Sequence, residues 1–223
     1  MIKIYRTTVL FFALLPGISS AENLASRSPA DALAFEIAQA HGWDNWAEVS
    51  AIEFQFNVDL GEQKVSRRWS WDVTAQEVTA LPENVTLSVK NPAEEHEDWH
   101  SKFINDSYWL VFPFHLIWDI GTELTMSDAF EAAPISGDPL RRLTITYVGD
   151  GGYTPGDAYD LFVDEEAVIR EWTFRKGNAP EPTRSTTWEN YERLGGLLLS
   201  TEHNDGTENG FRLWFTDLRV STR

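Results

Sequence analysis

From Val49 the chain alternates: Ile52, Phe54, Phe56 and Val58 take turns with Glu53, Gln55, Asn57 and Asp59. A strict period of two belongs to an extended strand with one buried face and one wet one. After a turn at Gly61-Glu62 the pattern returns, with Val65, Trp69, Trp71 and Val73 on one face and Arg68, Ser70 and Asp72 on the other. Shorter strands are expected over 77–81 and 85–90, the second with Val85, Leu87 and Val89 in register. The period resumes with Leu143, Ile145 and Tyr147, then with Tyr159, Leu161 and Val163, then with Trp172 and Phe174. Segments 122–126, 187–191, 196–202 and 211–220 also read as extended. Residues 149–157 and 204–210 form hairpin loops and Asp164–Ala167 a turn. Strands joined by short polar turns make an antiparallel meander, because parallel neighbours need a long crossover.

Two helices interrupt the meander. Ser28 caps the first, Pro29 occupies its first position and Asp31 its first turn. Ala32, Leu33, Phe35, Ile37 and Ala40 give it an apolar face, and Gly42 ends it. Trp43 and Trp46 follow and are expected to fold back over that face. The second helix is expected over 92–104, capped by Asn91, with Glu94, Glu95 and Glu97 at its positive end.

Residues 103–121, FINDSYWLVFPFHLIWDIG, hold six aromatic rings of Phe, Tyr and Trp and only two formal charges, Asp106 and Asp119. Asn105-Asp106-Ser107 reads as a helix stop or turn, since such side chains bond nearby backbone. Tyr108–Phe112 reads as a β-prone strand, limited to an edge or end by Pro113, which has no N–H to give a ladder. A run this apolar is either buried or kept for an apolar partner.

The first 21 residues are set apart. Lys3 and Arg6, the apolar run Val9–Leu15 and the small residues Ser19-Ser20-Ala21 form an export leader, cut before Glu22. Residues 22–223 then form a single domain. No cysteine is present, which excludes a disulfide, a thiol nucleophile and a lipidated cysteine, so the exported chain is expected free in the periplasm or outside. Of 18 basic residues the leader holds two, which leaves 16 against 35 acidic, a net charge of −19. Such a surface repels phosphate backbones and anionic headgroups and argues against nucleic acid as a partner. Ten tryptophans fit an aromatic core or an apolar cavity.

His96-Glu97-Asp98-Trp99-His100 matches the H-E-x-x-H pattern of zinc peptidases. Histidines four apart share a helix face, with the glutamate placed as base and Glu123 available as a third ligand. Against it, the expected helix is short and acidic, whereas such a motif ordinarily sits on a buried apolar one. The expectation is that Glu97 and His96 face solvent while Trp99 and Phe103, four apart, seat the helix. His41, His115 and His203 stand alone and read as structural or surface residues. No G-x-S-x-G elbow is present, and Gly149-Asp150-Gly151-Gly152 fits neither phosphate-binding pattern.

Phe103-Ile104-Asn105-Asp106-Ser107-Tyr108-Trp109-Leu110 followed by Pro113-Phe114 resembles the signature of an uncharacterised family of exported bacterial proteins. That family is similar in turn to the LolA/LolB type of outer-membrane lipoprotein carrier. Gly42-Trp43-Asp44-Asn45-Trp46, Trp172-Thr173-Phe174, Trp188-Glu189-Asn190-Tyr191 and Gly195-Gly196-Leu197-Leu198-Leu199-Ser200 extend the likeness over nearly all of the mature chain. The resemblance implies an α+β fold: one strongly curved, unclosed antiparallel sheet of about ten strands, a half-barrel, with helices on its concave side. It also implies a monomeric carrier that holds acyl chains between sheet and helices without a cofactor.

The leading expectation is therefore a non-enzymatic binder of an apolar small molecule or lipid, with a membrane-associated protein as a further possible partner. Its lining is expected from Phe54, Phe56, Trp69, Trp71, Trp109, Phe112, Phe114, Trp172 and Phe174. A zinc-dependent hydrolase built on His96, Glu97 and His100, and a structural or interaction protein with a packed core, are the alternatives.

Overall fold

The computed structural model describes residues 28–61, 63–149, 155–208 and 210–223. The leader, Glu62 of the first turn and the centre of the 149–157 loop lie outside the described residues.

Helix α1 (Pro29–Ala40) starts as its sequence dictates. The Asp31 N–H donates to Ser28 Oγ at 3.1 Å and the Ser28 N–H to Asp31 Oδ2 at 3.2 Å, a reciprocal cap on groups the helix leaves unpaired. Leu33, Ala34, Ile37 and Ala38 are buried, whereas Ala32, Phe35 and Ala40 are only half covered. Gly42 then turns the chain with φ 97°, and a Cβ there would stand 2.3 Å from the Gly196 carbonyl oxygen. Glycine is required on both counts.

Twelve strands follow among the described residues. β1 (Val49–Asp59), β2 (Lys64–Asp72), β3 (Glu77–Leu81) and β4 (Val85–Ser88) precede the second helix. β5 (Thr122–Ala132), β6 (Pro139–Tyr147), β7 (Ala158–Val163) and β8 (Ile169–Arg175) come after it. β9 (Arg184–Thr187), β10 (Glu189–Leu194), β11 (Leu197–Asn204) and β12 (Arg212–Thr222) complete the chain. All pairings are antiparallel, in two ladders ordered β10-β11-β12-β1-β2-β3-β4 and β5-β6-β7-β8-β9.

The ladders meet at one residue. β9 pairs with β8 and, one residue later, β10 pairs with β11, with Trp188 between them donating its N–H to the Arg170 carbonyl at 2.7 Å. The unclosed antiparallel architecture is thus present, as two sheets of seven and five strands that meet at Trp188 where one sheet of about ten strands was expected.

The expected alternation holds. Phe54 lies opposite Trp69, Ile52 opposite Trp71 and Phe56 opposite Phe215, all buried. Full burial of rings this large contributes on the order of 2–3 kcal/mol each. The other face of β1 stays wetter, with Glu53 and Gln55 half covered.

The second helix departs from expectation. α2 runs over Glu97–Trp118, preceded by a 3-10 turn at Glu94–His96, so Tyr108–Phe112 is helical and not a strand. Asn105-Asp106-Ser107 does not stop it, and Asn91 does not cap it; the residue at the N-terminal boundary is His96. Asp106 finds distant partners in Arg67 and Trp69, Asn105 donates to Asp106, and Ser107 donates to the Ile104 carbonyl within the helix, while tertiary burial overrides the β-preference of Tyr108–Phe112. Pro113 bends the helix rather than ending it: Val111 leaves helical geometry (φ −115°, ψ 18°). Without an N–H, Pro113 cannot bond the Trp109 carbonyl, and its ring crowds that oxygen.

The bend lets one helix serve both parts of the sheet. Phe103, Leu110, Val111 and Phe114 pack with the seven-stranded part, and Phe112 and Leu116 with the five-stranded part and α1. Trp43 and Trp46 cover α2 rather than α1, with Trp46 5.0 Å from Phe114 and 4.9 Å from Trp118 between ring centroids.

Candidate ligand-binding site

β2 and α2 meet through a charged clasp. On the β2 face that carries Trp69 and Trp71, Arg67 also points inward, and α2 brings Asp106 to it. The Arg67 Nε–H donates to Asp106 Oδ2 at 2.7 Å and Nη2 to Oδ1 at 2.5 Å. The Trp69 indole adds a bond to Oδ2 at 2.8 Å. Burial raises the Asp106 carboxyl above its ordinary range, opposed by Arg67. Trp99 and Phe103, one turn apart, rest their ring edges on Trp69 at 6.2 and 5.5 Å.

A polar chain ties the middle and the C-terminal end of α2 to β6. Tyr147 donates to Asp119 Oδ2 at 2.6 Å, so the Tyr108 hydroxyl donates to Tyr147. Burial raises both phenols well above the ordinary tyrosine range. His115 Nδ1 lies 3.0 Å from Asp119 Oδ1 and 2.9 Å from the Trp118 indole nitrogen. Beyond this chain Ile120 is 66% exposed and Val148 52%, and the Gly121 carbonyl accepts from the Val148 N–H.

Trp109 directly follows Tyr108 on α2. It is half-buried and packs on both parts of the core, its ring 4.4 Å from Trp172, 5.3 Å from His203 and 5.8 Å from Phe211.

The nine expected lining residues divide accordingly. Phe54, Phe56, Trp69, Trp71 and Phe114 are buried on the seven-stranded part. Phe112 and Trp172 are buried on the five-stranded part, where Phe174 is half-buried. Trp109 bridges the two groups. All nine belong to the two hydrophobic cores or pack against them. A groove of about 570 Å³ lies where β8, β9 and β10 meet the β5–β6 turn, lined by Arg170, Glu171, Trp188, Asn190 and Tyr191 among others. Glu171 there is buried, accepting the N–H groups of Ile135 and Ser136 at 2.7 and 2.8 Å, which pins the turn.

The H-E-x-x-H segment does not assemble as a zinc site. Glu97 is exposed and His96 half-buried, while His100 is buried with Nε2 2.8 Å from the Val89 carbonyl, so that nitrogen carries the proton. Burial lowers the pKa of His100. Glu123 lies in β5, in the five-stranded ladder, whereas His100 abuts the end of β4 in the other. Among the described residues no group of three His, Cys, Asp or Glu is placed to hold a metal ion.

Arg67 occupies a position on an apolar face, a cue that an inward cation needs a buried acid. Trp188 and His203 gave no such cue, because their place depends on the bend between ladders. His41 and His203 are buried, and burial holds them at about 4 and about 3, so both are neutral at pH 7.

Comparison with solved structures places this architecture. A LolA superfamily protein from Nitrosomonas europaea superposes over 88% of this chain and 96% of its own, with a TM-score of 0.55 at 10% identity. A DUF1329 family protein from Desulfovibrio piger superposes over 87% and 94%, with a TM-score of 0.50 at 9% identity. At such identities the likeness is one of fold, and the fold is LolA-like. No family model and no curated protein matches the chain in sequence. Among the described residues no helix is long and apolar enough to cross a membrane.

Proposed function

We propose that this protein is an exported, non-enzymatic binder or carrier of an apolar ligand, a lipid or acyl chain, taken up between α2 and the curved sheet. The observation that carries this reading is the bend in α2. The helix is fastened ahead of the kink by Asp106 to Arg67 and by Tyr108 to Tyr147, and after it by Asp119, which accepts from the same Tyr147. Between the anchors lie the Val111 kink and the Trp109 carbonyl that Pro113 cannot satisfy. A cover fastened before and after a weak point can open there over an aromatic interior without losing its place. The packed interior is the closed form, and uptake requires the segment of α2 around the Val111 kink to lift. The LolA-like fold of the Nitrosomonas europaea protein supports this reading.

On this reading the leader ends at Ala21 and residues 22–223 act as one domain in the periplasm or outside. The −19 charge keeps a carrier with an apolar rim in solution and disfavours ligands with anionic heads. Nothing in the placement of His96, Glu97 and His100 favours the hydrolase alternative.

Expression with the leader, followed by mass spectrometry of the exported chain and of its organic extract, tests the proposal. The expected result is a chain beginning at Glu22 that carries an apolar molecule, or that binds a hydrophobic fluorescent probe which long-chain lipids displace. A chain that carries none and binds no probe would establish the packed-core alternative instead.

A further inference from the structure

Four buried polar atoms without hydrogen-bond partners belong to neighbouring residues near Trp109: the indole nitrogens of Trp172 and Trp188, Thr186 Oγ1 and His203 Nε2. They come from four positions that the bend between ladders brings together. Thr186 lies directly across the β8–β9 ladder from Trp172, hence on the same face. The Trp188 ring is 5.6 Å from that of Trp172 and 4.6 Å from that of His203. All four residues are at most 1% exposed. Buried polar atoms left unpaired are costly and few in native proteins, and Val or Phe would fill the same space without that cost. Six such atoms occur among the described residues, and four of them are here.

The chemistry of the set is specific. His203 Nδ1 faces the Thr187 carbonyl at 3.2 Å, so Nδ1 carries the proton and Nε2 offers a lone pair. Burial keeps that imidazole neutral. The set therefore presents two N–H donors, one hydroxyl and one acceptor, with no charge to balance an anion. Arg184 is the cation toward the outside, occupied over the Phe211 ring at 4.2 Å. Trp109 is the half-exposed cover, held against Trp172, His203 and Phe211 beside the kink in α2.

We infer that Trp172, Thr186, Trp188 and His203 form an internal subsite for the uncharged head of an amphiphile, one that carries carbonyl oxygen and hydroxyl together. The inference rests on the carrier reading above and adds the class of ligand. The carbonyl oxygen accepts from the indoles, the ligand hydroxyl donates to His203 Nε2, and the chain runs along the aromatic layer under α2.

Displacement of N-phenyl-1-naphthylamine from the mature chain tests it, with monoolein, oleate and 1-octadecene as competitors of equal chain length. Monoolein is expected to compete at least about tenfold more tightly than either of the others. Thr186→Val and His203→Phe, which keep size and remove the polar atom, are expected to abolish that preference while leaving 1-octadecene unchanged. Equal competition by all three, as from a corner occupied by water only, overturns the subsite and leaves the carrier standing. So does a preference for oleate, or a monoolein preference that survives both variants. No binding of the probe or of any competitor overturns both readings.

Discussion

Arg67 holds Asp106 by two parallel hydrogen bonds, of 2.7 and 2.5 Å, between the middle of β2 and the middle of α2. The carboxylate is fully buried and the guanidinium a quarter exposed. Desolvating such a pair offsets much of its attraction, so its worth appears when one partner is removed. Asp106→Leu is expected to destabilise by about 3–5 kcal/mol, since it leaves Arg67 and the Trp69 indole unpaired. Arg67→Met is expected to cost a similar amount. The double variant should be more stable than either single one. Urea denaturation of the three variants measures this, and strictly additive losses would contradict the clasp as described.

The buried histidines make stability depend on pH. His41 and His203 are held at about 4 and about 3 by burial. Depressed pKa values mean that the unfolded chain binds protons the native state refuses, so stability falls as pH falls below about 6.5. At roughly 1.4 kcal/mol per pKa unit, each histidine costs about 2 kcal/mol by about pH 5. His100 acts in the same direction. Asp106 acts oppositely, because its raised pKa makes a contribution that is complete below its ordinary value and lost as pH rises through the folded one. Denaturation midpoints from about pH 8 to 5 are expected to decline, less steeply in His203→Phe. An unchanged slope in that variant would mean that His203 does not refuse the proton.

The strands and the helix differ in how far they could be read in advance, and the reason is the range of the forces involved. The Ser28–Asp31 cap and the alternation from Ile52 to Val58 are local, and both stand where the sequence puts them. Asp106 looked like a turn residue because its partners, Arg67 and Trp69, lie 39 and 37 residues upstream. Once they satisfy the carboxylate it no longer competes for local backbone, and helix continues through Tyr108–Phe112. Pro113 marked a real interruption, but of a helix. All nine expected lining residues belong to the two hydrophobic cores or pack against them. Period two alone could not reveal that the polar set near Trp109 joins them, since β9 and β10 belong to different ladders.

His100 and Glu97 separate structure from chemistry within one motif. His100 Nε2 bonds the Val89 carbonyl inside the core, whereas Glu97 is in solvent. His100→Ala is expected to cost about 1–3 kcal/mol by orphaning that carbonyl and opening a void, while Glu97→Gln stays within about 0.5 kcal/mol of wild type. Zinc is expected to leave on dialysis against a mild chelator. Stoichiometric retention, with peptidase activity lost in Glu97→Gln, would reverse the assignment.

The kink at Val111 gives the last test, because it connects the fold to uptake. Pro113→Ala restores an N–H that can bond the Trp109 carbonyl, and removes a ring that crowds it. Proline inside a helix costs on the order of 3 kcal/mol, of which packing Phe112 and Phe114 on different parts of the sheet recovers a share. The variant is therefore expected to melt no lower than wild type. If α2 opens by flexing at Val111, the same change should slow uptake of a hydrophobic probe about tenfold, a rise of roughly 1.4 kcal/mol in the barrier. Trp109→Ala should act in the opposite sense, speeding uptake while lowering the melting temperature through the lost ring contacts. Stopped-flow fluorescence beside thermal melts separates the two effects. Wild-type uptake in a stable Pro113→Ala protein would mean that the ligand enters without bending α2.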